Sequence, residues 1–136
     1  MKFNSQICTS REQSERLLAL GLKKETADMY YRTNWINAVT ANDVIDLYED
    51  DVIPAWSLGR LIEMLPSLIT ISEDLPTFHH YAYLDLHSVS VSYTWHDYDG
   101  EDRNLVGFYG NGLFAAVVDA IEWLIKEGYF NKEYLV

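Results

Sequence analysis

Residues 79–98, HHYAYLDLHSVSVSYTWHDY, carry the strongest β-strand pattern in the chain. Apolar and polar side chains alternate twice along this stretch, as they do in strands that have one buried face. A turn at His87 and Ser88 would place Leu86 opposite Val89 and bring the apolar side chains of both strands onto one face. The stretch therefore predicts an antiparallel hairpin.

A third strand follows from the next turn, which the pattern places near Gly100. That turn pairs Trp95 with Val106 and Tyr93 with Phe108, so the apolar face continues across the third strand. The result is a three-stranded antiparallel meander with one apolar face.

Residues 111–128, NGLFAAVVDAIEWLIKEG, predict the helix that covers this face. Asn111 is the expected N-cap and Gly128 the expected end. Apolar side chains recur at helical spacing and include Val117, Ile121 and Leu124. We expect these three to pack on the meander, with Trp95 and Phe108 beneath them.

Two shorter helices are predicted before the meander. Residues 9–21 begin with a capping box, of which Ser10 and Gln13 are one option, and Gly21 provides the end. Residues 53–66, IPAWSLGRLIEMLP, give a helix that ends before Pro66. The pattern predicts a buried Trp56, and Gly59 inside the helix predicts a close backbone contact.

Residues 29–51 give weaker signals. The first twelve are strand-forming with little alternation, and 41–51 fit a short helix capped by Asn42 or an acidic loop equally well. The whole pattern predicts an α+β fold for residues 1–136 as a single domain, with a three-stranded antiparallel meander packed against a C-terminal helix and two shorter helices before it.

The charge of the chain limits its partners. The net charge is −11, of which residues 1–32 contribute +2 and residues 33–136 contribute −13. So negative a protein repels phosphate, so we expect no direct nucleic-acid binding and no membrane binding, and we favour a protein partner, including a basic one. The composition leaves a homodimer open. One cysteine, Cys8, and the absence of an apolar leader predict a cytoplasmic protein.

Residues 95–102, WHDYDGED, resemble a metal site at first reading. A calcium loop that began at Asp97 would need glycine at position 6 and glutamate at position 12, where this chain has Asp102 and Phe108. His79 lies opposite His96 in the expected register, but no third zinc ligand has a recognisable spacing. We therefore expect a hairpin turn, with no bound metal, no cofactor and no catalytic residue.

Two stretches resemble a known group of proteins. CTSREQSERLLALGLKKETADM (8–29) and IPAWSLGRLIEMLP (53–66) are similar to segments of small uncharacterised proteins of Bacteroides-type gut bacteria, and AIEWLIKEGY (120–129) looks like the last helix of that group. The resemblance implies a bacterial, intracellular protein. It transfers no catalytic residue, because the group has no assigned activity.

These observations favour a small acidic, non-enzymatic protein-interaction module. The expected binding surface is the polar face of the meander, Tyr81, Tyr83, Asp85, Ser92, Thr94 and His96, together with the turn at residues 97–102, which contains Asp97 and Asp99. Two alternatives stay open at the level of the sequence. One is an inhibitor or nucleic-acid mimic that acts on a basic target, and the other is a small metal-binding or hydrolytic domain that uses the histidines.

Overall fold

The computed structural model describes residues 6–71, 81–96 and 102–136, and for His96 and Asp102 only the backbone. The chain forms two compact units, one of Met1–Met64 with Asn131–Val136 and one of Leu65–Phe130. Helices and antiparallel sheets occur together, which confirms the α+β class. A single domain over residues 1–136 stays a prediction.

The first unit contains two helices and a small antiparallel sheet in its described part. The helices are α1 (Arg11–Ala19) and α2 (Leu58–Met64), and the strands are β1 (Met29–Arg32), β2 (Val39–Thr40) and β3 (Val52–Ala55). The strand order is β2-β1-β3. Short 3₁₀ helices span Lys24–Thr26, Val44–Tyr48 and Lys132–Tyr134. This sheet is absent from the predicted architecture, because β1 pairs with a strand twenty residues later.

Helix α1 confirms the predicted capping. The Ser10 hydroxyl accepts a hydrogen bond from the backbone N–H of Gln13, and the Gln13 side chain accepts one from the N–H of Ser10. Gly21 takes a positive φ of 103° directly after the helix. The N–H of Leu22 then reaches the carbonyl of Leu17, which is the longer bond of a Schellman motif.

Trp56 is buried, as predicted, with 0% of its surface exposed. Its indole Nε1 donates to the Thr26 hydroxyl at 3.0 Å, and its backbone N–H donates to the Thr9 hydroxyl at 3.1 Å. The prediction for Gly59 is wrong, because no neighbouring atom lies within 4 Å of the position that a Cβ would take. Gly59 therefore reflects no close packing.

The second unit contains a four-stranded antiparallel sheet and one long helix among its described residues. The strands are β4 (Leu68–Thr70), β5 (Tyr81–Leu86), β6 (Val91–His96) and β7 (Asp102–Phe108), in the order β4-β5-β6-β7. The helix α3 spans Leu113–Glu127. The predicted meander is therefore present, and β4 extends it by a strand that the sequence pattern did not indicate.

The strand register differs from the prediction by two residues. Leu86 lies opposite Val91, and the backbone N–H of His87 donates to the carbonyl of Ser90, so the turn spans four residues instead of two. A shift of two residues keeps each side chain on its predicted face, because the side-chain period of a strand is two.

The pairing of β6 with β7 is also shifted from the prediction. Tyr93 lies opposite Val106, and a bulge between Tyr93 and Thr94 then places Trp95 opposite Arg103. A bulge leaves one extra residue unpaired and bends the strand, and alternation of side chains in the sequence does not predict it.

Helix α3 packs on β6 and β7, which confirms the predicted pairing of helix and sheet. Val117, Ile121 and Leu124 are fully buried. Trp123 adds contacts that we did not predict, with its ring centroid 6.1 Å from that of Phe108 and 6.3 Å from that of Tyr93.

The two ends of α3 differ in how well the sequence predicts them. Gly128 ends the helix in the left-handed conformation, as expected. The expected N-cap is wrong, because Gly112 occupies that position without a side-chain cap and Asn111 precedes it. Within the described ranges no helix is long and apolar enough to cross a membrane.

Candidate functional site

The connection between β1 and β2, residues 33–38, exposes two large apolar side chains. Ile36 is 91% exposed and Trp35 is 43% exposed. Two backbone hydrogen bonds of 2.9 Å fix this connection. The N–H of Trp35 donates to the carbonyl of Arg32, and the N–H of Thr33 donates to the carbonyl of Asp51. We call residues 33–38 the hairpin tip.

Arg32 fixes the hairpin tip from the side of the sheet. Its guanidinium lies 5.5 Å from the centroid of the Trp35 ring and donates to Glu49 at 2.7 Å and Asp51 at 2.8 Å. The hydrogen bond to Glu49 is the main reason why the pKa of Arg32 lies even higher than usual. Arg32 therefore keeps a permanent charge against the indole.

Arg11 fixes the same tip from helix α1. Its guanidinium donates to the carbonyl oxygen of Arg32 at 3.0 Å and also to that of Trp35. The same group lies 4.9 Å from the centroid of the Tyr31 ring. Two arginines from different elements thus hold the backbone and the indole of an exposed loop, which is the arrangement of a preorganised contact surface.

Ile36 lines two open depressions of about 220 and 380 Å³. The smaller one is also lined by Ile7, which is 62% exposed, and by Tyr31. The larger one is also lined by Trp35 and Val39. The hairpin tip therefore offers an exposed apolar side chain with open depressions beside it, a shape that suits contact with another macromolecule.

Cys8 lines the smaller depression but lacks the properties of a nucleophile. The residue is buried, and its sulfur lies 3.4 Å from the Tyr31 hydroxyl. Burial raises the pKa of the Cys8 thiol, and it is also the main cause that raises the pKa of Tyr31 to about 12. A catalytic thiol needs a lowered pKa, so this environment favours a structural cysteine.

The predicted binding surface is partly covered. Tyr81, Tyr83 and Asp85 follow one another on β5, and Tyr81 is 45% exposed. Across the sheet, Thr94 pairs with Tyr83 and Ser92 with Asp85, and both of these β6 residues are buried. The expectation that Ser92 and Thr94 belong to the binding surface is therefore wrong, and the exposed part of the polar face is narrower than expected.

Most of the remaining predicted site residues lie outside the described part of the chain. His96 ends β6, and the Nε2 atom of His87 lies 3.2 Å from Asp85. His79, Asp97 and Asp99 lie outside the described residues, as does the turn at residues 97–101. Among the described side chains, no group of three histidines, cysteines or carboxylates could hold a metal ion.

Sequence reasoning missed the hairpin tip. The stretch TNWINA, residues 33–38, places Trp35 and Ile36 between two asparagines, and asparagine is a turn-forming residue. That pattern could have indicated an apolar pair at a turn instead of within a strand. The roles of Arg11 and Arg32 could not be read from it, because their contacts depend on tertiary structure.

No family model, curated protein or solved structure matches the chain. The resemblance to small Bacteroides-type proteins therefore stays an expectation, and the functional argument depends on the geometry of the chain itself.

Proposed function

We propose that the protein is a small non-enzymatic interaction module that binds another protein through the hairpin tip. The observation that carries the proposal is the state of Trp35, which is half-exposed and held by both Arg11 and Arg32. Tryptophan is enriched among the residues that dominate binding energy at protein interfaces. Holding it in place before binding reduces the entropy that association must otherwise cost.

Ile36 extends this anchor. Because Ile36 is 91% exposed, it contributes almost no burial energy to folding. Burial of such a side chain in a partner contributes roughly 1.5–3 kcal/mol to the binding free energy. The neighbouring Asn34 and Asn37 are exposed and supply polar groups around the apolar centre. An apolar centre within a polar rim is the usual anatomy of a protein interface.

Nucleic-acid mimicry has less support. A mimic needs free carboxylates at regular spacing, whereas most of the five carboxylates of residues 42–51 have partners within the chain. Glu49 and Asp51 bind Arg32, and Asp46 accepts hydrogen bonds from two backbone N–H groups. The proposal therefore does not include mimicry.

Site-specific photo-crosslinking tests the proposal. A photo-reactive amino acid replaces Ile36 in cells that naturally make the protein, and the matched control places it at Val89, which is 57% exposed in the second unit. We expect one discrete protein adduct at position 36 that is absent at position 89.

The captured partner is then purified and titrated against the chain. Trp35→Ala should weaken its binding by about thirtyfold, which corresponds to the roughly 2 kcal/mol of a typical interface hot spot. The circular dichroism of the variant should match that of the parent. Equal crosslinking at both positions, or unchanged affinity of Trp35→Ala, would remove the hairpin tip from the binding surface.

A further inference from the structure

Residues 42–51, NDVIDLYEDD, form a second unusual surface on the first unit, which we call the acidic segment. It contains five carboxylates and no lysine, arginine or histidine. Between the carboxylates stand four large apolar residues: Val44, Ile45, Leu47 and Tyr48. A segment that only kept the protein soluble would not need these apolar side chains.

The 3₁₀ helix Val44–Tyr48 sorts the apolar side chains into two rows. Residues three apart lie on the same side of a 3₁₀ helix, so Val44 stands above Leu47 and Ile45 above Tyr48. Leu47 is 1% exposed and attaches the helix to the unit, whereas Ile45 and Tyr48 are 72% and 55% exposed. The row of Val44 and Leu47 is therefore buried only at Leu47, since Val44 is 48% exposed, and the row of Ile45 and Tyr48 presents apolar surface.

The capping bonds hold this helix in place. The Asp46 carboxylate accepts hydrogen bonds from the backbone N–H groups of Asn42 and Asp43, each at 3.2 Å. The Tyr48 hydroxyl donates to the Glu25 carboxylate, which also raises the pKa of Tyr48. The exposed apolar row of Ile45 and Tyr48 therefore lies on a helix whose N-terminus and Tyr48 hydroxyl are hydrogen-bonded within the chain.

The cations near the acidic segment do not balance its charge. Arg32 binds Glu49 and Asp51, and Lys24 lies 6.0 Å from the centroid of the Tyr48 ring. The five carboxylates of the acidic segment and Glu25 carry six negative charges, and Arg32 and Lys24 carry two positive ones, so the segment with these three side-chain partners has a net charge of −4. The surface around the exposed apolar row is thus strongly negative.

A cleft of about 380 Å³ opens beside the row of Val44 and Leu47. Ala27, Val44 and Leu47 contribute apolar lining, and Asp28 and Asp43 contribute acidic lining. The Asp28 carboxylate also accepts hydrogen bonds from the backbone N–H and the hydroxyl of Ser57. A lysine or arginine side chain fits such a cleft, because its aliphatic stem packs on apolar surface while its charged end stays near carboxylates.

We infer that the acidic segment and its cleft dock a basic amphipathic segment of a partner protein. Apolar side chains of the partner cover Ile45 and Tyr48, and a lysine or arginine of the partner enters the cleft beside Asp28 and Asp43. Charge complementarity selects this partner, since an acidic or phosphate-bearing one would be repelled. The inference rests on the proposed function only in that the partner is a protein.

A designed peptide tests the inference on the purified full chain. The probe is an amphipathic helical peptide with leucines on one face and lysines on the other, and the matched probe has glutamate at every lysine position. We expect only the lysine peptide to bind, with an affinity that falls as salt screens the surface charges. Amide chemical-shift changes should concentrate in residues 24–28 and 41–51.

Variants of the segment separate specific docking from general attraction to an acidic protein. Ile45→Ser and Asp43→Asn should each weaken peptide binding about tenfold, and asparagine preserves the helix cap at position 43. The controls Val89→Ser and Glu127→Gln, both on the second unit, should change the affinity by less than about twofold. Equal losses in the controls, shift changes elsewhere, or no binding of the lysine peptide would each overturn the inference.

The peptide experiment and the crosslinking experiment fail independently. A partner adduct at position 36 together with no peptide binding would leave the proposed function intact and remove the acidic segment from it. Peptide binding at residues 41–51 without an adduct at position 36 would keep the acidic segment and remove the hairpin tip.

Discussion

Replacement of Trp56 is the sharpest test of how the first unit is held together. Trp56 is fully buried between β3 and α2, and its indole N–H donates to the Thr26 hydroxyl. Its backbone N–H donates to the Thr9 hydroxyl, and its carbonyl accepts a hydrogen bond from the backbone N–H of Thr9. Trp56→Ala should lower the free energy of unfolding by about 3–5 kcal/mol, as other large-to-small core substitutions do. Such a loss approaches the whole stability of many small domains.

A milder pair of substitutions measures the indole hydrogen bond itself. Thr26→Val leaves the buried N–H of Trp56 without its acceptor, also removes the hydrogen bond that the Thr26 hydroxyl donates to the carbonyl of Lys23, and should cost about 1–3 kcal/mol. Thr26→Ser keeps the hydroxyl and should cost less. The double variant Trp56→Phe with Thr26→Val removes both partners, so its loss should be smaller than the sum of the two single losses.

Urea unfolding followed by far-ultraviolet circular dichroism gives these free energies. Our reasoning would be refuted if Trp56→Ala unfolded at the same urea concentration as the parent, or if Thr26→Val were no worse than Thr26→Ser. In the first case Trp56 would contribute no packing energy, and in the second the indole hydrogen bond would be energetically irrelevant.

Three further predictions concern other parts of the chain. Gly110→Ala should lower the free energy of unfolding in urea by about 1–3 kcal/mol, because the new Cβ would lie 2.6 Å from the Cβ of Ala115. Gly59→Ala meets open space and should leave the stability unchanged or raise it by up to about 1 kcal/mol. A Gly59→Ala variant less stable than Gly110→Ala would contradict this. Ile121→Asp places a charge in the buried face of α3 and should abolish the native circular dichroism, so a native spectrum and melting temperature would show that the packing of helix on sheet is wrong. Burial raises the pKa of Tyr31 from 10.0 to about 12, so the folded state holds this proton more tightly than the unfolded state. The contribution of Tyr31 to the free energy of unfolding should therefore be fully present below pH 10 and should fall as the pH rises toward 12. Melting curves should show a smaller fall over that range in Tyr31→Phe, and an equal fall would exclude Tyr31 as its source.

The sequence alone determined the local structure wherever the signal lies within a few residues. The capping box of Ser10 and Gln13, the glycine ends at Gly21 and Gly128, and the alternation along β5 and β6 were all predictable, because caps and alternating side chains act between near neighbours. The burial of Trp56 was also predictable, since a short helix after Pro54 needs tertiary packing to persist.

Only the tertiary structure decided the register of the strands and the extent of the sheets. Leu86 opposite Val89 and Leu86 opposite Val91 place the same side chains on the same face, so alternation cannot distinguish registers that differ by two residues. Strand β4 and the sheet of the first unit depend on partners that are distant in sequence. Patterns over a short window carry no information about such pairings.

The candidate binding surfaces also depend on tertiary contacts. The sequence predicted the acidity of residues 42–51, but which of its apolar side chains turn outward follows from the 3₁₀ helix and from Leu47 as its buried contact. The backbone of the hairpin tip is held by Arg11, which reaches it from a helix that lies more than twenty residues earlier in the chain. Exposure is set by which neighbours the fold supplies, and those neighbours are not adjacent in the sequence.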